Sequence, residues 1–401
     1  MSLEDYWSFS DCSQLFEEST ESAAQAIQNA FRTCGIIYYN FMGHVIIAVE
    51  NLRIGGYQRL ALDQAYHLSD ISYPCTLLLL NPEVPDLKTF ADTENDLIRS
   101  KRLVISRLDG RRIKDFFAIR KLLDADDSKV LVISHSMRST VLFALARIGI
   151  KKRVVINTTI HQLPSLSKSI QRLKRFIYAQ FGENLFGYSD AVIKDWNARY
   201  SIFGKRISLL RNGIYEGRLN TTSGSIGEGK PRLIFLGRNT SWKGIETYFD
   251  LFNLPVFSNH LGLMMIASAS ENIRYAAEKV GANRVEIIEG ANLQKFIPRK
   301  GDLHVYPSQY GIRAKFTEPI SLNCLEMALL GTPSLVTESN ENTWPEIYEK
   351  GFFIGVSWEN RINLGAVLTE KTLSHVSDSQ GHIRHLVSIS NNVNAHLSYL
   401  D

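Results

Sequence analysis

The stretch FTEPISLNCLEMALLGTPSLVT, Phe316 to Thr337, decides how the chain reads. It divides into loop, helix, turn and strand. Pro319 suits a first helical position, where a missing N–H costs nothing. Leu322, Leu325, Glu326, Leu329 and Leu330 then follow helical spacing. Gly331 supplies the stop, with Pro333 just beyond it. Glu318 and Glu326 have seven residues between them. The first sits at the mouth of the helix, beside the amides of Ile320 and Ser321, which favour anions. One small site would then offer an anion cradle and two acceptor carboxylates. That set suits a sugar nucleotide, with its diphosphate and rows of hydroxyls.

At 401 residues the chain has room for two large α/β halves. Hydrophobic residues at 44% and charged residues at 21% are ordinary for a globular protein with ample core. A formal net charge of +4 is too small to argue for nucleic acid. Cys12, Cys34, Cys75 and Cys324 lie far apart with no C-x2-C pair, so neither a zinc site nor a disulfide framework is indicated. No apolar run reaches the roughly 18–20 residues of a membrane span. Met1 to Ser10 is acidic and aromatic, unlike a signal peptide. The expected location is cytoplasmic.

Residues 1–42 read as an N-terminal extension, with a helical Glu17–Phe31 and an aromatic patch from Cys34 to Gly43. The patch lacks the Lys/Arg face of an interfacial helix, so packing on the domain fits it better. From 43 to 218 strands and helices alternate. His44–Glu50 is a buried-type strand, followed by the glycines Gly55 and Gly56 and a helix from Tyr57 to Leu68. Pro74–Leu80, Leu103–Leu108, Lys129–Ser134 and Arg153–Ile160 are further strands, with helices over Arg111–Leu123 and Ser139–Ile148. This alternation predicts an α/β fold with a doubly wound parallel sheet. Ligands of such sheets gather beyond the carboxyl ends of the strands, where His135 and His161 would lie. A neutral imidazole there can hydrogen-bond a hydroxyl. Ser167–Phe181 is a basic amphipathic helix, either a solvated face or one that meets an anionic membrane surface.

Residues 219–230, LNTTSGSIGEGK, have linker composition. The pattern restarts over 231–374 with the strand Pro231–Leu236, a loop from Gly237 to Gly244 and the helix Ile245–Phe252. Leu261–Ala267, Val285–Ile288 and a segment within Asp302–Ser308 are further strands, and Ser270–Val280 is a helix. Residues 375–401 end in helices expected to pack back on the first half.

The frame E-P-x6-E-x-A-x2-G-T-P around Glu318 and Glu326 resembles the E-x7-E signature of retaining glycosyltransferases of the GT-B fold, family 4 in particular. Gly55-Gly56 with Gln58 and Arg59 is similar to that family's GG-x-x-R entry loop. Gly237, Arg238, Lys243 and Gly244 resemble its G-R-x4-K-G element. His161 matches a histidine after the corresponding strand. Ser189–Ile193 is similar to its aspartate-led strand, and Asn212-Gly213-Ile214 to its Asn-Gly-Ile-Asp, with Tyr215 in place of the final Asp.

The resemblance implies two Rossmann-like domains facing a cleft, the acceptor on the first and the donor on the second. Arg238 and Lys243, in the donor-binding loop that opens with Gly237, would grip the leaving diphosphate, helped by the amides of Ile320 and Ser321, and the amides of Gly55 and Gly56 would approach the acceptor or the donor phosphate. Glu318 would orient the donor sugar, Glu326 would hold the ribose, and His161 would line the reacting face. The donor would be a UDP- or GDP-type sugar and no cofactor is expected. With no Asp-x-Asp motif no metal is expected either, and charge stabilisation falls to Arg and Lys. The acceptor would be a saccharide or lipid-linked saccharide in surface polysaccharide biosynthesis, with peripheral contact at the inner membrane face. Two rivals stand beside this reading: a GT-B-fold sugar-nucleotide epimerase, and a catalytically inactive homologue serving as a binding or assembly partner.

Overall fold

The computed structural model describes residues 43–52, 55–81, 95–101, 103–108, 112–124, 129–161, 173, 176–177, 179–200, 207–219, 227–240, 243–290, 293, 296–308, 321–337, 344–358, 368 and 380–400. The expected extension 1–42, linker residues 220–226, and Glu318, Pro319 and Ile320 lie outside them.

Two parallel sheets organise the chain. The first has strands β1 (His44–Val49), β2 (Cys75–Leu79), β3 (Val104–Arg107), β4 (Val130–Ser134), β5 (Val154–Ile160), β6 (Asn184–Gly187) and β7 (Ile207–Leu209), in the order β3-β2-β1-β4-β5-β6-β7. The second has β8 (Arg232–Gly237), β9 (Leu261–Ile266), β10 (Val285–Glu289), β11 (Leu303–Tyr306), β12 (Ser334–Thr337) and β13 (Phe353–Val356), in the order β10-β9-β8-β11-β12-β13. In both, the strand order reverses beside the sheet's first strand, β1 or β8. The helices are α1 (Gly56–Asp70), α2 (Asn95–Ser100), α3 (Arg112–Asp124), α4 (Met137–Ala146), α5 (Asp190–Tyr200), α6 (Ile245–Asp250), α7 (Glu271–Val280), α8 (Leu322–Leu329), α9 (Pro345–Glu349), α10 (Gln380–Leu386) and α11 (Ile389–Leu397).

Central strands covered on both faces need unbroken apolar runs. β1 meets that need, since Val45 through Val49 are all buried, paired to β2 on one side and β4 on the other. Burying each of its Ile and Val side chains stabilises the fold by about 1.5–3 kcal/mol. α8 is buried at every position but Asn323, and ends where Gly331 takes φ +77°. The Thr332 amide then reaches back to the Met327 carbonyl at 2.8 Å, closing the last turn.

Two segments depart from expectation. The helix expected to have Pro319 at its first position opens instead at Leu322, because Ser321 takes the extended backbone of an N-cap, φ −74° and ψ 159°. The strand placed at Ser189–Ile193 is instead the start of α5, and the strand is β6, just before it. Ser189 explains the difference. Its Oγ accepts from the Val192 amide at 3.3 Å, and Asp190 occupies the first turn, a helix N-cap signature that outweighs the apolar Ala-Val-Ile.

The chain returns to the first sheet at its end. The Gln64 side chain of α1 bonds Asn392 of α11 at 2.7 Å, and Lys129 and Arg153 both donate to the Leu400 carbonyl. Gly213 permits this return. A Cβ there would lie 2.5 Å from the Ile389 Cα, so only glycine lets Ile214 exchange backbone bonds with Val387 and Ile389. Among the described residues, no helix is long and apolar enough to cross a membrane.

Candidate functional site

Doubly wound sheets bind ligands beyond the carboxyl ends of the strands, where the strand order reverses. Here both such points open on one cleft. β1 runs out toward Gly55 and Gly56, β8 ends in Gly237 and Arg238, and all four line a solvent-open space of about 820 Å³. Arg59, Arg218, Lys243, Ser321, Asn323 and Glu326 complete its polar wall.

Two helices point their first turns at the cleft. Gly55, the N-cap of α1, has no side chain to cap with, and Ser321, the N-cap of α8, makes no side-chain capping bond. Their first amides therefore stay available to an anion. A Cβ on Gly55 would lie 2.5 Å from Gln58 Oε1 and 3.8 Å from Arg238 Nη1, so the two halves approach closely at this glycine. Asn323 pins α8 to β8 by donating to the Leu236 carbonyl at 2.6 Å.

The two cations of the glycine-bounded loop differ in setting. Arg238 is exposed, its guanidinium able to fork onto phosphate oxygens. Lys243 is only 8% exposed. Its Nζ donates to the Tyr306 hydroxyl at 2.8 Å and lies 4.6 Å from that ring's centre. Gly244 makes this placement possible. It has φ +73°, and a Cβ would fall 2.2 Å from the Pro307 carbonyl oxygen, so the loop can press onto the end of β11 only with glycine here.

Beneath the cleft lies a buried charge cluster. Arg218 donates from Nε and Nη2 to the two oxygens of Asp63 at 2.7 and 3.0 Å, and from Nη2 to Glu326 Oε1 at 2.5 Å. Arg59 stands 3.9 Å from Asp63, whose second oxygen also accepts from the Tyr215 amide at 3.2 Å. Burial pushes the Asp63 carboxyl above its ordinary range, against the pull of Arg218. The cluster joins α1, the segment after β7 and α8. Sequence reading missed Asp63 and Arg218. The available signal was an acidic residue on a helix face otherwise reading as core.

Tyr215, which departs from the resembled motif, has work of its own. Its hydroxyl donates to Asp70 Oδ2 at 2.5 Å, its ring lies 5.4 Å from that of Tyr66, and Lys101 pairs with the same Asp70. It fastens the inter-sheet segment to α1.

His135 and His161 follow β4 and β5, and the structure brings them together, His135 Nδ1 lying 2.9 Å from His161 Nε2. Burial holds His135 well below its ordinary range and pulls His161 down to about 3, so both rings are neutral near pH 7. His161 is not in the cleft wall described above. Tyr57, next to Gly56, connects the two places, with its ring centre 5.5 Å from that of His161. Among the described residues, no three His, Cys, Asp or Glu side chains converge as a metal site requires.

Of the residues singled out in the sequence, Gly55, Gly56, Gly237, Arg238, Lys243, Ser321 and Glu326 share one cleft. His161 stands apart from it by one aromatic ring, and Glu318, Pro319 and Ile320 lie outside the described residues.

No family model matches the sequence, and no curated protein matches it. Solved structures do resemble the fold. Anabaena HepE, in complex with UDP and glucose, matches over 89% of this chain and 99% of its own, with 14% identity and a TM-score of 0.67. A glycosyltransferase from Rickettsia africae matches over 89% and 98%, with 13% identity and a TM-score of 0.65. A putative UDP-N-acetylglucosamine 2-epimerase from Listeria monocytogenes matches over 89% and 94%, with 14% identity and a TM-score of 0.52. Likeness at such identity speaks to architecture rather than chemistry. The chain has the GT-B architecture, two Rossmann-like parallel-sheet domains facing a cleft.

Proposed function

We propose that the protein is a retaining glycosyltransferase, akin to family 4, that moves a sugar from a UDP- or GDP-type sugar nucleotide to a saccharide or lipid-linked saccharide without a metal ion. One observation carries this reading: Arg238, Lys243 and the mouths of α1 and α8 converge on a single cleft at both switch points. Breaking a glycosyl–phosphate bond leaves charge on the diphosphate, and donors already aimed there lower the barrier. Arg238 forks onto the phosphate oxygens, while Lys243, held by Tyr306, supplies a fixed point charge. Arg218 holds Oε1 of Glu326 and so orients the carboxylate, whose other oxygen accepts a ribose hydroxyl. Glu318 orients the donor sugar, a role resting on the sequence motif alone.

Retention follows if the acceptor attacks the face from which the diphosphate departs. The anomeric carbon–phosphate oxygen bond breaks, the bond to the acceptor oxygen forms, and the acceptor's proton passes to the leaving phosphate. His161 is assigned to that face by the sequence motif alone, since it stands one aromatic ring, Tyr57, away from the cleft wall. Anabaena HepE holds UDP and glucose in its structure, which makes UDP-glucose the first donor to try. For peripheral membrane contact the support is narrower: Leu173, Ile177 and Phe181, four residues apart, are 58, 45 and 37% exposed.

The test is nucleoside diphosphate release from UDP- and GDP-sugars, with and without saccharide acceptors. The proposal expects acceptor-dependent release, and a product whose anomeric proton shows the donor's configuration. Conversion of the sugar nucleotide without acceptor would indicate epimerisation. Nucleotide binding without any turnover would indicate the inactive homologue.

A further inference from the structure

Four side chains, from α1, the ends of β4 and β5, and the returning helix α11, form one hydrogen-bonded line. Asn392 Nδ2 lies 3.0 Å from the Arg211 carbonyl oxygen, and Asn392 Oδ1 lies 2.7 Å from Gln64 Nε2. Gln64 Oε1 lies 2.7 Å from His135 Nε2, and His135 Nδ1 lies 2.9 Å from His161 Nε2.

The direction of every link follows from the first. A backbone carbonyl only accepts, so Asn392 must turn its nitrogen to Arg211 and its oxygen to Gln64. Gln64 then donates to Asn392, which leaves its own oxygen facing His135. His135 must donate there, so its Nε2 carries the proton. Burial keeps that ring neutral, so its Nδ1 is a bare acceptor. The nitrogen facing it, His161 Nε2, must therefore be protonated. A neutral imidazole has one ring proton, which leaves Nδ1 of His161 bare. Among the described residues, that nitrogen makes no protein hydrogen bond. Stacking fixes the ring as well, with Tyr57 and Tyr188 at 5.5 and 6.0 Å and His135 at 5.2 Å.

We propose that Asn392, Gln64 and His135 are positioning residues that lock His161 in the Nε2-protonated tautomer, so that its Nδ1 accepts a hydrogen bond from a ligand hydroxyl. The hydroxyl's identity as a sugar hydroxyl rests on the function proposed above, whereas the tautomer does not. A phosphate oxygen would meet repulsion at this nitrogen, so the device favours the hydroxyl-bearing end of a sugar nucleotide over its diphosphate. It also ties the reacting face to the segment between the sheets, because the anchor carbonyl belongs to Arg211. That residue in turn reaches Glu346 of the second half at 3.1 Å.

The test is long-range nitrogen–proton correlation NMR of the imidazoles in the full-length, nitrogen-15-labelled protein at neutral pH, with His161 assigned through His161→Gln. The wild type is expected to show His161 protonated on Nε2, with the far-downfield signal of an unprotonated Nδ1. Gln64→Leu removes the link to His135, and Asn392→Leu removes the anchor. In each folded variant His161 should move to the averaged signals of mixed tautomers. Circular dichroism identifies which variants fold, and either one suffices. A wild-type His161 protonated on Nδ1 would overturn the proposal outright. So would wild-type tautomer signals in a folded Gln64→Leu protein. No ligand enters the measurement, so it stands or falls separately from any glycosyl-transfer assay.

Discussion

Arg218 Nη2 donates to Glu326 Oε1 across 2.5 Å, and through this bond the segment after β7 grips α8 on the second sheet's side of the cleft. Both side chains are almost fully buried, and Arg218 simultaneously holds Asp63 of α1. Removing a shared partner from a buried ionic cluster leaves uncompensated charge, at a cost of about 3–5 kcal/mol. Arg218→Met should therefore lower unfolding stability by that amount. Adding Asp63→Asn should recover part of it, because one stranded charge disappears. Urea unfolding of the three proteins checks this, and a single-variant loss below about 1 kcal/mol would speak against the cluster's role.

Arg238 and Lys243 should separate in their effects. Arg238 is exposed, so Arg238→Ala should leave stability within about 0.5 kcal/mol of wild type while weakening nucleoside diphosphate binding about 10- to 100-fold. Lys243→Ala should damage both, since the Lys243 ammonium also bonds the Tyr306 hydroxyl and covers that ring. Calorimetric titration with UDP, beside urea unfolding, distinguishes the two outcomes.

Gly244→Ala tests the loop's geometry. The added methyl group would meet the Pro307 carbonyl oxygen at 2.2 Å in a left-handed backbone conformation. A loss of at least about 1–2 kcal/mol is expected, with weaker nucleotide binding as Lys243 is displaced. Wild-type behaviour by thermal melting and UDP titration would show that the loop has room to shift.

Stability should fall on mild acidification. His161, His304 and His396 are held down to about 3 by burial, against an ordinary value of 6.5, and His135 is also lowered. In the window between, the unfolded chain binds protons that the folded protein does not. Stability is therefore greatest above pH 6.5 and declines as pH falls toward 3, by up to about 1 kcal/mol per pH unit for each imidazole. Asp63 acts in the opposite sense, since its raised carboxyl keeps a proton longer in the folded state. One carboxyl does not offset several imidazoles. Urea midpoints at pH 7 and pH 5 should differ accordingly, and equal midpoints would mean that these rings protonate in place.

The alternation of strands and helices was legible because parallel strands buried on both faces leave long apolar runs, as His44–Val49 and Val130–Ser134 do. The short edge strand Ile207–Leu209 was not, since three residues give no periodicity to read. The cleft's glycines and Arg238 were legible because their spacing along the chain is short and fixed. Asp63, Arg218 and the Gln64–Asn392 bond were hidden for the opposite reason. Their partners are far away in sequence, and a polar residue on a core-facing helix surface looks like noise until its partner is in place. Only His161 matches the resembled family, yet it shares one hydrogen bond with His135.

The central claim is that the cleft between the sheets takes the diphosphate of a sugar nucleotide. Thermal melting of wild type and Arg238→Ala with UDP, GDP, ADP, TDP and their common sugars tests it most directly. A ligand at a hundredfold over its dissociation constant stabilises by about 2.7 kcal/mol, which is readily seen. At least one nucleotide should raise the melting temperature of the wild type, and at the same concentration shift Arg238→Ala much less. No shift with any nucleotide, or equal shifts in both proteins, would contradict the claim.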